Sequence, residues 1–240
     1  MPQETILSLK ESHVHVEMKT EGVHTEKNIT YSDISRMFEN RSTITSDYLP
    51  GEYGVQRFAF KGNRELYLYT EPPRRVETKY SVGGHLHKNQ FIVPALAWFV
   101  ILEKRGSGYR YQGAWVFAMK SSIFTGKEDL YTAPFSNVYD NNGICWGNNV
   151  VQLPSAKAIQ GLSSLFFSAP FNSDLDHDKF DSFNRSYSEG NAYRTIHLQM
   201  EINEMLKTKT EQEALDFVEG KLLRAGTTIE DFFNRTLRNI

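Results

Sequence analysis

Cysteine is scarce in this chain of 240 residues, where Cys145 is the single example. One thiol cannot form an internal disulfide, so the fold must be stable without such a cross-link. Long apolar runs are also missing: the longest, residues 91–102, is shorter than the roughly 20 residues that a membrane-spanning helix needs. Neither sign of charge is in excess, because the formal net charge is −2. These absences argue against a membrane-spanning protein and against one that coats nucleic acid.

Apolar and aromatic side chains, in contrast, are plentiful. Hydrophobic residues make up 40% of the sequence, which includes 16 Phe and 12 Tyr. A chain of this length can bury most of its apolar surface without cross-links. Residues 1–10 carry no signal-peptide pattern, and a lone thiol stays reduced in the cytosol, so we expect a cytoplasmic protein.

Strand patterns dominate the first half of the chain. Loose alternation over residues 4–30 predicts a hairpin, and a short apolar stripe predicts a helix over residues 31–40. Alternating segments at 55–60 and 65–70 flank a Gly-containing turn and predict two strands. Apolar runs at 91–103 and 109–120 predict a central hairpin that is buried on both faces.

Helix signals dominate the second half. A helix is predicted to begin after Ser155, and three more helices are predicted to close the chain. The first of these follows residue 190, the second starts with a capping box at Thr210 and Glu213 and ends near Gly226, and the third begins at Thr228. Strands followed by helices predict a single α+β domain over residues 1–240, with an antiparallel sheet and helices on one of its faces.

The cysteine lies in a segment, residues 133–149, that combines apolar positions with a tight turn. Asn137-Val138-Tyr139 precedes the run Asp140-Asn141-Asn142-Gly143, and Ile144-Cys145 follows it. Asp, Asn and Gly favour turns because they tolerate positive φ or bond to their own backbone. We therefore expect the chain to fold back on itself here, so that Asn137 faces Cys145.

This segment resembles the active-site segment of ubiquitin-conjugating enzymes, which reads His-Pro-Asn-(Val/Ile)-Tyr, a Gly-containing turn, and then (Ile/Val)-Cys-Leu-Asp. Here Phe135-Ser136 replaces His-Pro, Trp146-Gly147 replaces Leu-Asp, and Gly143 is one position closer to the cysteine. A segment with these departures is most similar to that of a divergent prokaryotic branch, which includes protein B of the PRTRC system.

The resemblance implies a ubiquitin-conjugating-like fold, in which helices pack on an antiparallel meander. It covers roughly residues 31–180. Residues 1–30 would form an N-terminal hairpin extension, and residues 190–240 would form the C-terminal helices. The order of elements predicted from the residue patterns is the same as in that family.

The resemblance also implies an activity, in which Cys145 carries a ubiquitin-like protein as a thioester. Asn137 would stabilise the transition state or order the loop, and Asp174, in a Pro-x-x-x-Asp segment after the central helix, would orient the incoming lysine. The active-site loop would include Phe135, Tyr139, Gly143 and Trp146. Because Phe135 is large and apolar, we expect it to pack inward where the family has its histidine.

No metal or other cofactor is expected. His13 and His15 would share one face of a strand, as would His85 and His87, but no cluster of Cys, Asp or Glu completes a ligand set. We interpret both pairs as surface histidines.

Three functions remain open at this point. The first is a conjugating enzyme whose partners are a ubiquitin-like protein, an adenylating activating enzyme and a protein target, with no role for nucleic acid or membrane. The second is an inactive scaffold of the same fold that binds a ubiquitin-like protein. The third is a hydrolase pairing Cys145 with His177 or His197, which the position of the cysteine in a turn disfavours.

Overall fold

The computed structural model describes nine segments of the chain. The helix predicted over residues 31–40 lies outside them, as do Asp174 and His177. The chain divides into two compact units, one of residues 1–44 with 60–63 and the other of residues 45–59 with 64–240. The described segments are residues 4–9, 13–20, 23–30, 43–49, 53–82, 85–120, 124–147, 151–172 and 195–240.

The N-terminal strands form a three-stranded antiparallel sheet in the order β1-β2-β3. The expected hairpin over residues 4–30 was therefore one strand short, because the stretch contains a second reversal after residue 20. His13 and His15 lie on β2, and the His15 ring is hydrogen-bonded to the Asn28 side chain at 2.8 Å. Within the described segments, no three His, Cys, Asp or Glu side chains are grouped to hold a metal. The strands are β1 (Glu4–Leu9), β2 (His13–Thr20) and β3 (Val23–Thr30).

A larger sheet of eight strands contains the predicted central hairpin. Its order is β14-β11-β10-β9-β6-β5-β4, and β12 pairs with β10 beside this path. The two strands predicted at 55–60 and 65–70 are confirmed as β5 and β6. The strands are β4 (Thr43–Thr45), β5 (Gly54–Lys61), β6 (Arg64–Glu71), β9 (Ala95–Arg105), β10 (Gly108–Met119), β11 (Asp129–Thr132), β12 (Gln152–Leu153) and β14 (Arg224–Thr228).

Pro94 divides the apolar run that was predicted as one strand. Residues 91–93 end β8, and β9 starts at Ala95. Proline has no N–H to donate to a ladder, so it falls between strands. Residues 95–102 are all buried, as expected for a strand covered on both faces.

A third sheet, which the sequence patterns missed, lies beside the candidate site. It has the order β13-β7-β8, and β13 pairs with β7 in parallel. The side chains of His85 and His87 on β8 are exposed, as expected for surface histidines. The two long strands of this sheet were not predicted from apolar alternation, because charged residues occupy many of their positions. The strands are β7 (Arg74–Val82), β8 (His85–Val93) and β13 (Pro170–Phe171).

Four α-helices occur in the described segments. Ser155 precedes the first helical turn, but its side chain makes no capping bond. The capping box is confirmed, since Thr210 Oγ1 accepts from Glu213 N at 3.2 Å and Glu213 accepts from Thr210 N at 2.9 Å. After a 3₁₀ turn (Ala156–Gly161), the helices are α1 (Leu162–Ser168), α2 (Thr195–Met205), α3 (Glu211–Lys221) and α4 (Ile229–Arg238).

The end of α3 differs from the prediction. The helix stops at Lys221, and residues 224–228 form β14, with Gly226 at φ +68°. This strand pairs with β11, a partner that is far away in sequence. The start of α4 is as predicted, because the Thr228 side chain accepts from Asp231 N.

Both faces of the large sheet are covered, so the prediction of helices on one face is wrong. On one face, Leu96 and Trp98 belong to the same core as Phe166 of α1. On the other, Phe99 packs on Phe232 of α4 with ring centroids 4.7 Å apart. Successive strand residues point to opposite faces, so a strand that is apolar at every position needs cover on both. None of the described helices is long and apolar enough to cross a bilayer.

Candidate active site

The cysteine segment is anchored to the sheet through β10. Val116 N donates to Asn142 O at 3.0 Å, and Ile144 N donates to Ala114 O at 3.0 Å. Between these bonds, Gly143 lies opposite Trp115 in an isolated antiparallel bridge. The arm of the segment that leads to Cys145 is thus hydrogen-bonded to β10 at Ala114 and Val116, which are both buried.

The segment is a tight hairpin, and its register brings Asn137 and Cys145 together. Cys145 N donates to Asn137 O at 2.9 Å, and Tyr139 N donates to Gly143 O at 2.8 Å. The turn is closed by Asn142, whose φ is +63°, a value that asparagine tolerates better than most residues. Its side chain accepts from Ala133 N at 3.1 Å, which ties the turn to the start of the segment.

Strand alternation sorts the side chains of this hairpin. Val138 is 0% exposed and its partner Ile144 is 8% exposed, so this pair faces the core. Neighbouring side chains on a strand point the opposite way. Positions 137, 139, 143 and 145 therefore share the outer face, where the side chains of Asn137, Tyr139 and Cys145 lie.

Tyr139 makes the closest described contact to the thiol. Its hydroxyl donates to Cys145 Sγ at 3.4 Å, and its side chain is 46% exposed. The hydrogen bond to Cys145, and then the charge that the sulfur carries as a thiolate, raise the pKa of Tyr139 above its ordinary value. Cys145 itself is partly exposed. This contact was predictable from the sequence, because positions 139 and 145 both neighbour the Val138–Ile144 pair and therefore face the same side of the hairpin.

Asn137 is joined to the end of the helix segment that follows. Its side-chain Nδ2 donates to Pro170 O at 3.2 Å. Pro170 belongs to β13, directly after α1, so this bond links the hairpin to the third sheet. The catalytic role of Asn137 stays a prediction.

Phe135 is fully buried, which confirms that it packs inward. Its ring lies 5.5 Å from Phe166, 5.3 Å from Phe167 and 6.2 Å from Phe171, measured between centroids. Edge-on and offset contacts of this kind stabilise aromatic clusters. The start of the segment is thus held by aromatic packing.

Trp146 anchors the other side of the cysteine. Its indole Nε1 donates to the Tyr111 hydroxyl at 2.7 Å, and its ring packs edge-on against Tyr111 and Phe166. Burial raises the pKa of Tyr111 to about 12, so this hydroxyl stays neutral. Cys145 therefore has fixed neighbours on both sides.

Gly143 has little room for a side chain. A Cβ on it would lie 2.9 Å from Asn141 Oδ1, the atom that accepts from Gly143 N, and 3.7 Å from Trp115 Nε1. The glycine thus leaves space for the Asn141 side chain to fold back onto the Gly143 N–H.

Three of the predicted participants have no described side chain. Asp174 and His177 lie outside the described segments, and the side chain of His197 on α2 is also not described. The role of Asp174 thus remains a prediction.

Comparison with known proteins supports the resemblance seen in the cysteine segment. The sequence model of prokaryotic E2 family D matches residues 31–216. The match contains the large sheet up to β12, the hairpin with Cys145, α1 and α2. No curated protein and no solved structure matches the chain. Because the family match covers more than half of the sequence, and the fold is a mixed α/β structure with an antiparallel sheet, the chain belongs to prokaryotic E2 family D.

Proposed function

We propose that this protein is a ubiquitin-conjugating-like enzyme. Cys145 would accept a ubiquitin-like protein from an adenylating activating enzyme and pass it to a target protein. The observation that carries the proposal is the position of the Cys145 thiol, partly exposed and hydrogen-bonded by Tyr139, on the outer face of an anchored hairpin. We further propose that this protein is related to protein B of the PRTRC system, because the cysteine segment resembles that branch of the family.

Loading is a transfer between two thiols. The Cys145 sulfur attacks the carbonyl carbon of the thioester that joins the ubiquitin-like protein to the activating enzyme. A new C–S bond forms at Cys145, the old C–S bond breaks, and the proton lost by Cys145 balances the one gained by the released thiol. A partly exposed thiol suits this step, since the donor is itself a protein.

Transfer to the target reverses the role of the sulfur, which becomes the leaving group. A lysine amine of the target attacks the thioester carbon and loses a proton, and the C–S bond breaks to leave an amide. The Tyr139 hydroxyl, 3.4 Å from Sγ, is placed to donate to the departing thiolate. Hydrogen bonds to charged groups are stronger than neutral ones, so this contact should favour departure of the sulfur.

Asn137 can contribute to transfer in two ways. Its amide nitrogen has two hydrogens, and one of them is used in the bond to Pro170 O. This bond orders the hairpin against β13, and the second hydrogen can be offered to the oxyanion of the intermediate. We also propose that Asp174, four residues after Pro170 in the sequence, orients the attacking lysine.

The test is thioester formation with purified components. The protein is incubated with ATP, its activating enzyme and its ubiquitin-like protein, and adducts are separated with and without reductant. We expect a reducible adduct on the wild type, a stable ester on Cys145→Ser and no adduct on Cys145→Ala. A reducible adduct on Cys145→Ala, or no adduct on the correctly folded wild type, would overturn the proposal of an enzyme. It would favour the inactive scaffold.

A second variant separates loading from transfer. Asn137→Ala should slow transfer to lysine by about a hundredfold, because loss of one oxyanion donor has that effect where the donor matters. Loading should change much less, since thiol exchange on a thioester is an easier reaction than attack by an amine and depends less on an oxyanion donor. Rates are measured in single turnover, with exposed Asn63→Ala on the β5–β6 turn as the matched control. Equal slowing of both steps would instead assign Asn137 a purely structural role.

A further inference from the structure

A cavity of about 510 Å³ lies beside the candidate site, on the sheet face opposite α1. Its apolar surface includes the rings of Trp115 on β10 and Phe232 on α4. Asp140, at the tip of the cysteine hairpin, and Arg235, on α4, also line it. The cavity thus combines aromatic rings with polar side chains and two charged groups, and the charged groups come from different elements.

The cavity and the cysteine are close along one arm of the hairpin. Ile144 is buried in the core cluster that contains α1, so its neighbours Gly143 and Cys145 lie towards the opposite side of the sheet, where Trp115 packs. Trp115, which lines the cavity, reaches that face, because its Nε1 lies 3.7 Å from the position of a Cβ on Gly143. Two residues of extended chain, about 7 Å, separate Gly143 from Cys145.

The lining fits a side chain that is joined to a peptide backbone. Rings pack favourably edge-on against other rings, so the interior suits an aromatic group. Asp140 and Arg235 both line the cavity, and the Arg235 guanidinium lies over the Phe232 ring at 5.0 Å. A carboxylate can accept from peptide N–H groups, and a guanidinium can donate to peptide C=O groups.

We propose that this cavity docks an aromatic side chain of the acceptor protein, two residues from the lysine that is modified. In an extended peptide, side chains at positions i and i+2 share a face and lie about 7 Å apart. A lysine over Cys145 therefore places the residue two positions away over Gly143, next to Trp115 at the edge of the cavity. This inference rests on the proposed function, since it names the sequence that the acceptor presents to the thioester.

The test compares two acetylated nonapeptides in a Gly-Ser background. Each has a central lysine, with either Phe or Ala both two residues before and two residues after it. Transfer from purified wild-type thioester should be at least about tenfold faster to the Phe peptide, the discrimination that an apolar pocket typically provides. Ala225→Trp, which fills the cavity from β14, should bring the ratio of the two rates close to one.

Binding to the unloaded protein gives an independent readout. We expect the Phe peptide, and not the Ala peptide, to shift the NMR signals of the Trp115 indole and the Gly143 amide. Ala225→Trp should abolish these shifts, while exposed Thr208→Trp should retain them. If Ala225→Trp does not fold, Ala225→Leu fills the cavity partly and should weaken the preference.

The two proposals fail in different ways. If no thioester forms, the proposed function is wrong, and the NMR comparison alone decides whether the cavity binds the aromatic peptide. If a thioester forms but both peptides react and bind equally, the docking proposal is wrong and the proposed function stands. A preference for the Phe peptide that survives Ala225→Trp would also overturn the docking proposal, because another surface would then bind the aromatic residue.

Discussion

At the scale of single residues, strand alternation in one short hairpin explains which side chains meet at the candidate site. Val138 and Ile144 are buried, and their neighbours Tyr139 and Cys145 meet on the outer face, where the hydroxyl donates to the sulfur at 3.4 Å. Changing the sulfur should therefore be detectable at the tyrosine.

Cys145→Ala should lower the pKa of Tyr139 toward the ordinary value of about 10. In the wild type, the hydrogen bond to Cys145 and the negative charge of its thiolate disfavour a second negative charge on the phenol, so the pKa is raised. Tyr139 thus stays protonated, and able to donate, at a higher pH than in the variant. The measurement is a pH titration of the Tyr139 ring carbon signal by NMR, with Tyr131 as an internal comparison. An unchanged Tyr139 curve would mean that the contact with the sulfur is not formed in solution.

At the scale of elements, local side-chain bonds start the last two helices. Thr210 caps α3 with a reciprocal bond to Glu213, and Thr228 caps α4. In α3, Ala214 and Val218 are buried, so the cap sets where a core-facing helix begins.

Thr210→Ala should lower the free energy of unfolding by about 1 kcal/mol, the usual effect of losing a threonine cap. Exposed Thr208→Ala, just before the helix, should change it by less than about 0.5 kcal/mol. Both are measured by urea denaturation followed by circular dichroism.

The Glu213 half of the cap adds a pH dependence. Hydrogen bonds from Thr210, the backbone N–H first, hold the pKa of Glu213 below its ordinary value. The stabilisation is therefore present above the ordinary carboxyl pKa and is lost as the pH falls through the lowered value. The difference between wild type and Glu213→Gln should shrink in acid, because the glutamine lacks the carboxylate that accepts from the Thr210 N–H. A difference that is independent of pH would contradict the reciprocal bond.

At the scale of the whole molecule, the large sheet separates two cores. Leu96 and Phe99 are both 0% exposed, yet they belong to different hydrophobic clusters. One cluster includes α1, α2 and α3, and the other includes α4.

Leu96→Ala and Phe99→Ala should each lower the free energy of unfolding by about 2–5 kcal/mol, because each leaves a cavity in a closed core. Leu86→Ala on β8, where the side chain is 54% exposed, serves as the control and should have little effect. The measurement is again urea denaturation. A small effect of Phe99→Ala alone would mean that α4 does not cover its face of the sheet.

Some of this structure follows from short-range patterns. The Asp-Asn-Asn-Gly turn, the pairing of Asn137 with Cys145, the strands flanking Gly62 and the Thr210 cap all depend on residues close together in the chain. Helix and strand signals of this kind act over a few residues, so they can be read directly. The inward position of Phe135 was also predictable, because a large apolar ring in a polar loop is stabilised by burial.

The predictions from sequence were wrong where a partner distant in the chain decides the local structure. Gly226 suggested a helix end, but pairing with β11 turned residues 224–228 into a strand. The charged β7–β8 hairpin gave no apolar alternation, yet it packs under α2 and α3 through partners more than a hundred residues away, such as Thr78 with Gln199.

The sequence by itself therefore determined the candidate chemistry: one cysteine, the Asn-Val-Tyr motif before it, and a turn that pairs the two arms of the hairpin. Only the tertiary structure decided what surrounds that chemistry. It put Phe135 among Phe166, Phe167 and Phe171, joined Asn137 to Pro170, and closed a cavity between Trp115 and α4. The physical reason is that hydrogen bonding and turn preferences act locally, whereas burial depends on which apolar surfaces meet once the whole chain has folded.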